Sequence, residues 1–189
     1  VTAIAGLWRA FVRTLAALLD RVVEWNDKVD LTAERDPDEL VDLFVADAAV
    51  VARLHDRVGE AWVDVGSGAG APGIPLALLM NGSLTLIEPK AKRVAFLRTA
   101  VGALALDRVS VRRDRCEAIA DKSFDAAISR ATLDPADWLA EGVRIARNSV
   151  WVLVARTAPP SVAGWRVDRD ETYCLPLTGA PRRALRYVP

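Results

Sequence analysis

From residue 61 onward the chain alternates short apolar runs with longer stretches of helical periodicity, and few folds accept such an order. Residues 62–65, 84–88, 109–112, 124–129 and 150–155 read as strands, and residues 72–80, 91–104 and 135–146 between them read as helices. Strands joined by helical crossovers pair in parallel and bury both faces, which predicts a doubly wound α/β sheet of the Rossmann-like class. The end of the chain breaks the alternation. Residues 172–175 and 184–188 are two strand-like runs joined by a turn containing Pro, Thr and Gly, so they form a hairpin and add antiparallel strands. The expectation is a seven-stranded, mostly parallel sheet with an antiparallel hairpin at its carboxyl end.

Ahead of the sheet, Ile4, Leu7, Trp8, Phe11, Val12, Leu15, Leu18, Leu19, Val22 and Val23 recur every three or four residues, the stripe of an amphipathic helix. Asp36 followed by Pro37 is a helix start, an N-cap and then a ring whose φ already suits the first turn. That second helix carries Leu40, Leu43, Phe44 and Val51 and is expected to end near Gly59. With 189 residues and 52% hydrophobic content the chain can bury one core. Residues 1–59 are therefore read as a helical extension and residues 60–189 as the main domain.

The formal net charge is zero, so the global balance calls for no polyanionic partner. Charge is nevertheless uneven: residues 1–58 hold seven Lys and Arg against eleven acids, and residues 130–189 hold nine Arg against six. Any phosphate backbone would meet the second of these segments. Cys116 and Cys174 are the only cysteines and His55 the only histidine, which disfavours a disulfide framework and a structural zinc site and predicts no metal. His55 lies outside every motif and reads as a surface or capping residue. No basic stretch at the start precedes a long apolar run, and no segment reaches the about 18 uninterrupted apolar residues of a membrane span. A soluble, cytoplasmic protein without membrane contacts is expected.

Asp64-Val65-Gly66-Ser67-Gly68-Ala69-Gly70-Ala71-Pro72-Gly73 falls between the first strand and the first helix of the sheet, where bare backbone can approach a ligand closely. This is a cofactor loop, and two chemistries fit it. Gly68, Gly70 and Gly73 spell the G-x-G-x-x-G of dinucleotide folds, and Glu88, twenty residues after Gly68, stands where such folds keep a ribose-binding acid. S-adenosylmethionine is favoured over a nicotinamide dinucleotide on three counts. Asp64 would repel a pyrophosphate but could meet the positive end of a methionine moiety, the terminal hairpin resembles methyltransferase sheets, and no length remains for a substrate domain. Glu88 would offer its carboxylate to the ribose hydroxyls.

Trp25-Asn26, Leu31-Thr32-Ala33, Arg35-Asp36-Pro37, residues 63–75, Lys92-Arg93-Val94-Ala95-Phe96-Leu97-Arg98 and Ile128-Ser129-Arg130-Ala131 follow one another in an order and spacing that resemble the RsmG (GidB) family across residues 20–155. The resemblance implies a class I S-adenosylmethionine-dependent methyltransferase that modifies N7 of one guanine in 16S ribosomal RNA of the small subunit or its precursor, as a monomer. It implies cofactor contacts from Asp64, Gly66, Ser67, Gly68, Gly70, Ala71, Glu88, Cys116, Glu117 and Arg130, with Arg130 also the catalytic residue. Cys116 reads as a pocket wall and not as a nucleophile. Three positions depart from the family pattern. Leu43-Phe44-Val45-Ala46-Asp47 keeps the acid of a usual Arg-His-acid run but not the pair, Asp30 replaces an asparagine, and residues 157–165 are short for a crossover helix.

Guanine N7 carries a lone pair and no proton, so methyl transfer to it needs alignment more than a general base. A chain without a nucleophile triad or paired carboxylates suits that chemistry. Arg112, Arg113, Arg130, Arg182, Arg183 and Arg186 are the candidates for RNA contact. Two other functions remain open: a relative that binds cofactor without turnover and serves as an RNA-binding or regulatory protein, and a methyltransferase acting on another RNA or a small molecule.

Overall fold

The computed structural model describes residues 2–155 and 157–189, without the side chains of residues 2–5, 7 and 8, so Ile4, Leu7 and Trp8 of the predicted stripe lie outside the described residues. Helices α1 (Thr2–Val29) and α2 (Pro37–Leu54) precede β1 (Ala61–Val65), α3 (Gly73–Leu79), β2 (Ser83–Ile87), α4 (Ala91–Ala103) and β3 (Val109–Arg112). A 3₁₀ turn at Cys116–Ala118 then leads to β4 (Phe124–Arg130), α5 (Pro135–Ile145), β5 (Ala146–Val154), β6 (Arg166–Cys174) and β7 (Pro181–Val188). The seven strands form one sheet in the order β3-β2-β1-β4-β5-β7-β6. The first five are parallel, while β7 runs antiparallel to both β5 and β6.

Strand alternation splits the core into two layers. Trp62, Leu84, Leu86, Ala126, Ile128 and Trp151 face α1 to α4, whereas Val63, Val65, Ile87, Ala127, Val150 and Val152 face α5 and the loop at Val162 and Trp165. Helix α1 buries Leu15, Leu18 and Val22. Val12 and Val23, expected in the same stripe, are 56% and 55% exposed. They lie off the i, i+3, i+7 line that meets the core.

The Asp36 cap forms: its Oδ1 accepts from the backbone N–H of Asp38 at 2.8 Å and of Glu39 at 3.4 Å. Asp36→Ala is expected to cost about 1 kcal/mol of stability in urea denaturation, the usual loss when a capping oxygen is removed. Helix α2 stops at Leu54, five residues short of the expected end, because His55 leaves helical geometry to bury its imidazole. The ring lies edge-on to Trp62 at 4.7 Å and 3.0 Å from Glu60 Oε2. His55 thus caps the helix from inside the core and not from the surface, and burial lowers its pKa.

Strand β6 starts six residues earlier than expected, since Arg166 to Glu171 are all charged except Val167 and carry little apolar signal along a sheet edge. Strand β5 likewise begins at Ala146, directly after α5, where Arg147 bonds Asp125 and Asn148 bonds Glu60. Among the described residues the segment between β5 and β6 holds no helix. No helix among the described residues is long and apolar enough to cross a membrane.

Candidate functional site

The strand order reverses between β1 and β4, and ligands of open α/β sheets sit outside the carboxyl ends of the strands at such a point. A cavity of about 490 Å³ opens there. Its floor is Gly66, Ser67 and Gly68 after β1, its sides are Glu88 to Lys90 after β2 and Arg130 to Thr132 after β4, and its roof is Leu31 to Glu34 with Leu43.

Local bonds hold the floor rigid. The N–H groups of Gly66 and Ser67 both donate to the Ile87 carbonyl, at 2.8 and 3.1 Å, and the Ser67 hydroxyl donates to the Asp64 carbonyl at 2.9 Å. Gly66 has φ +74°, open to glycine at no steric cost. Glu88 is buried at the end of β2, where Oε2 accepts from Gly68 N–H at 3.0 Å and Oε1 from Lys90 N–H at 2.9 Å. Both oxygens are thereby fixed at the cavity wall with lone pairs to spare.

The roof comes from the helices that precede the sheet. Buried Asn26 accepts from Leu31 N–H at 2.8 Å and Thr32 N–H at 3.0 Å and donates to the Glu34 carbonyl at 3.3 Å. Arg93 of α4 donates to the Asp30 carbonyl at 3.0 Å. Asp30 itself has φ +54°, a conformation that Asp shares with Asn, so the substitution keeps the turn.

Arg130 ends β4 and reaches back to α2, donating to the Leu43 carbonyl at 3.1 Å and to Asp47 Oδ2 at 3.3 Å. Asp47 is buried, and its other oxygen accepts from the Tyr173 hydroxyl of β6. Burial and the Asp47 carboxylate push the Tyr173 phenol well above its ordinary range, so it remains a neutral donor. The acid retained from the Arg-His-acid run therefore anchors Arg130.

Residues 12–151 match the family described as rRNA small subunit methyltransferase G, GidB. The chain belongs to that family. It is 40% identical over 119 residues to ribosomal RNA small subunit methyltransferase G of Pseudomonas paraeruginosa, covering 62% of this chain and 55% of that protein. Against the Salmonella agona protein of the same name the figures are 40% over 119 residues, 62% and 56%. The matched segment thus spans about half the length of the curated relatives.

Solved structures share the fold at lower identity. A SAM dependent methyltransferase from Aquifex aeolicus aligns with a TM-score of 0.59 at 20% identity, over 80% of this chain and 93% of that one. Pyrococcus horikoshii TYW2, solved in complex with MeSAdo, aligns at 0.62 and 15%, over 82% and 64%. The fold is the class I methyltransferase sheet, in agreement with the strand pattern of the sequence.

Of the residues singled out in this family member, Gly66, Ser67, Gly68, Ala71, Glu88 and Arg130 line the cavity together. Four others do not. Asp64 lies under the first turn of α3, where a Cβ on Gly73 would stand 2.5 Å from its Oδ2, and it is shut away from the cavity. Burial pushes its carboxyl up to about 7. Gly70 faces Ile74 and Leu97 in the core.

Cys116 turns its thiol to Glu141 of α5 at 3.5 Å, and burial together with that carboxylate raises it to about 12. It is neither a cavity wall nor a nucleophile. Its neighbour Glu117 is also outside the cavity, because the 3₁₀ turn is drawn toward α5 by Arg144, which donates to the carbonyls of Cys116 and Ile119. In their place stand Leu31, Thr32, Glu34, Leu43, Arg93 and Thr132, which sequence spacing did not nominate although three belong to the quoted motifs.

The RNA-contact candidates also sort by geometry. Arg186 is buried between Asp56 and Asp168, Arg183 forks onto Asp170 at 2.6 and 2.7 Å, and Arg112 pairs with Asp114 at 2.8 Å. Arg130 and Arg182 face cavities.

Proposed function

We propose that this chain transfers the methyl group of S-adenosylmethionine to N7 of a guanine in 16S ribosomal RNA, acting as a monomer on the small subunit or its precursor in the cytoplasm. The observation that carries this reading is the cavity at the strand-order reversal, with bare backbone at Gly66 to Gly68 on one side and the fixed Glu88 carboxylate on the other, inside the segment that matches the family. Residues 60–189 serve as the methyltransferase domain, and residues 1–59 as a helical extension that closes the cavity from above.

When bound, the cofactor supplies an activated sulfonium methyl. Glu88 would hold the ribose hydroxyls through its carboxylate oxygens, and the bare backbone of the floor would leave room for the amino-acid end. Arg130, clamped by Asp47 and Leu43, orients the acceptor at the end of β4. No residue needs to remove a proton, since N7 has none.

The test is transfer of labelled methyl to 30S subunits from a strain lacking this modification, followed by mapping of the label. Label at one guanine N7 is expected, and Arg130→Ala should reduce its rate about a hundredfold, the scale of a lost alignment. Label absent in the presence of calorimetrically bound cofactor would sink the reading. A smaller acceptor is the second reading, favoured by the ion pairs that occupy Arg112, Arg183 and Arg186. It predicts RNA affinity that is absent or insensitive to salt.

A further inference from the structure

A second cavity, about 160 Å³, adjoins the first and shares Glu34, Leu43 and Arg130 with it. It lies between α2 and the β6–β7 turn, with Leu175, Thr178 and Arg182 on its far side. The turn is tied down: buried Asp42 of α2 accepts from the N–H of Thr178 and from its hydroxyl, both at 2.8 Å. A third cavity of about 190 Å³ touches the first at Ala131 and Thr132, but its described walls carry no charged side chain. Of these two, the second combines apolar walls with a carboxylate and a guanidinium at its junction with the cofactor cavity.

We infer that this junction seats the acceptor base and that Glu34 selects guanine by accepting hydrogen bonds from its N1–H and its exocyclic N2 amine. The inference rests on the methyl-transfer reading given above. Guanine is the one RNA base that presents two adjacent donors on its Watson–Crick edge, and a carboxylate is an acceptor with two oxygens to meet them. Around the purine the groups run N2, N1, O6, N7. With Glu34 on the first two and Arg130 on O6, N7 is the next group and is left free for the methyl.

Glu34 is suited to the part. Its Oε2 accepts from the Thr32 hydroxyl and its carbonyl from Asn26, which fixes the side chain at the wall. Against the upward push of burial, the Thr32 bond and the charges of Arg130 and Arg182 hold its carboxyl below the ordinary value, so it is ionised at neutral pH. Adenine would place an acceptor at N1 against that negative charge and be rejected.

The experiment uses small subunits reconstituted from unmodified 16S RNA with guanosine or inosine at the target position. Inosine keeps N1–H, O6 and N7 and lacks only the N2 amine. The unaltered chain should prefer guanosine by about tenfold or more in kcat/KM, the worth of one hydrogen bond to a charged group. In Glu34→Gln and Glu34→Ala the preference should shrink to within about twofold, with calorimetric cofactor binding reporting that each variant is folded. A preference retained in both variants, or absent from an active unaltered chain, overturns the role of Glu34 alone. Inactivity of the unaltered chain on every acceptor overturns the methyl-transfer reading and this inference with it.

Discussion

Gly66→Ala is expected to lower stability by about 2–5 kcal/mol and to remove measurable binding of S-adenosylmethionine. Two independent costs meet at this position. At φ +74° an L side chain is strained. The added Cβ would also stand 2.1 Å from Thr132 Oγ1 and 2.5 Å from its Cγ2. Thr132 cannot swing aside freely, because it is β-branched and its hydroxyl donates to the Val65 carbonyl at 3.2 Å. Relief must come from the β4–α5 segment, which forms one wall of the cavity, or from the glycine turn, which forms its floor. Either movement spoils the approach of a ligand to the backbone. Urea denaturation reads the first loss and titration calorimetry the second; unchanged affinity would show that the floor at Gly66 takes no part in binding.

Asp64→Asn is expected to become more stable relative to the parent chain as pH rises, by about 3 kcal/mol between pH 5 and pH 8. The sign follows from protonation. In the unfolded chain Asp64 loses its proton near the ordinary 3.8, while in the fold burial holds the proton up to about 7. Between these values the folded state binds more protons than the unfolded one, so the contribution of Asp64 is fully present below about pH 4 and is lost as pH climbs to about 7. Asparagine has nearly the same shape and does not titrate, so the difference between the two chains isolates this one group from the other carboxylates. Urea denaturation of both proteins at unit steps of pH measures it. A difference that stays flat would mean that Asp64 is ionised in the fold and has a charge partner.

The same residue illustrates how far spacing alone reaches. Its place two residues before Gly66 suggested a contact with the cofactor, but a strand residue points to one face or the other, and Asp64 shares the face of Trp62, under α3. Glu88, by contrast, follows the last residue of β2 and is carried past the sheet edge, where its position in the sequence and its position in space agree. Cys116 and Glu117 follow β3 in a similar way and yet miss the cavity, because the 3₁₀ turn and Arg144 draw them toward α5.

The amino-acid sequence by itself determined the strand and helix order, the parallel sheet, the antiparallel hairpin and the loop at Gly66 to Gly68. Each of these is a property of neighbouring residues: a period of 2 or 3.6, a capping residue beside a proline, glycines at fixed spacing. Tertiary structure alone decided which side chains close the site and which arginines are taken up in ion pairs away from it. The cavity joins Glu34, Leu43, Arg93 and Arg130, and the buried Arg186 pairs with Asp56 from the far end of the chain. Such pairings are settled by distance and burial in the folded core, where a charge without a partner is costly, and no local pattern records them.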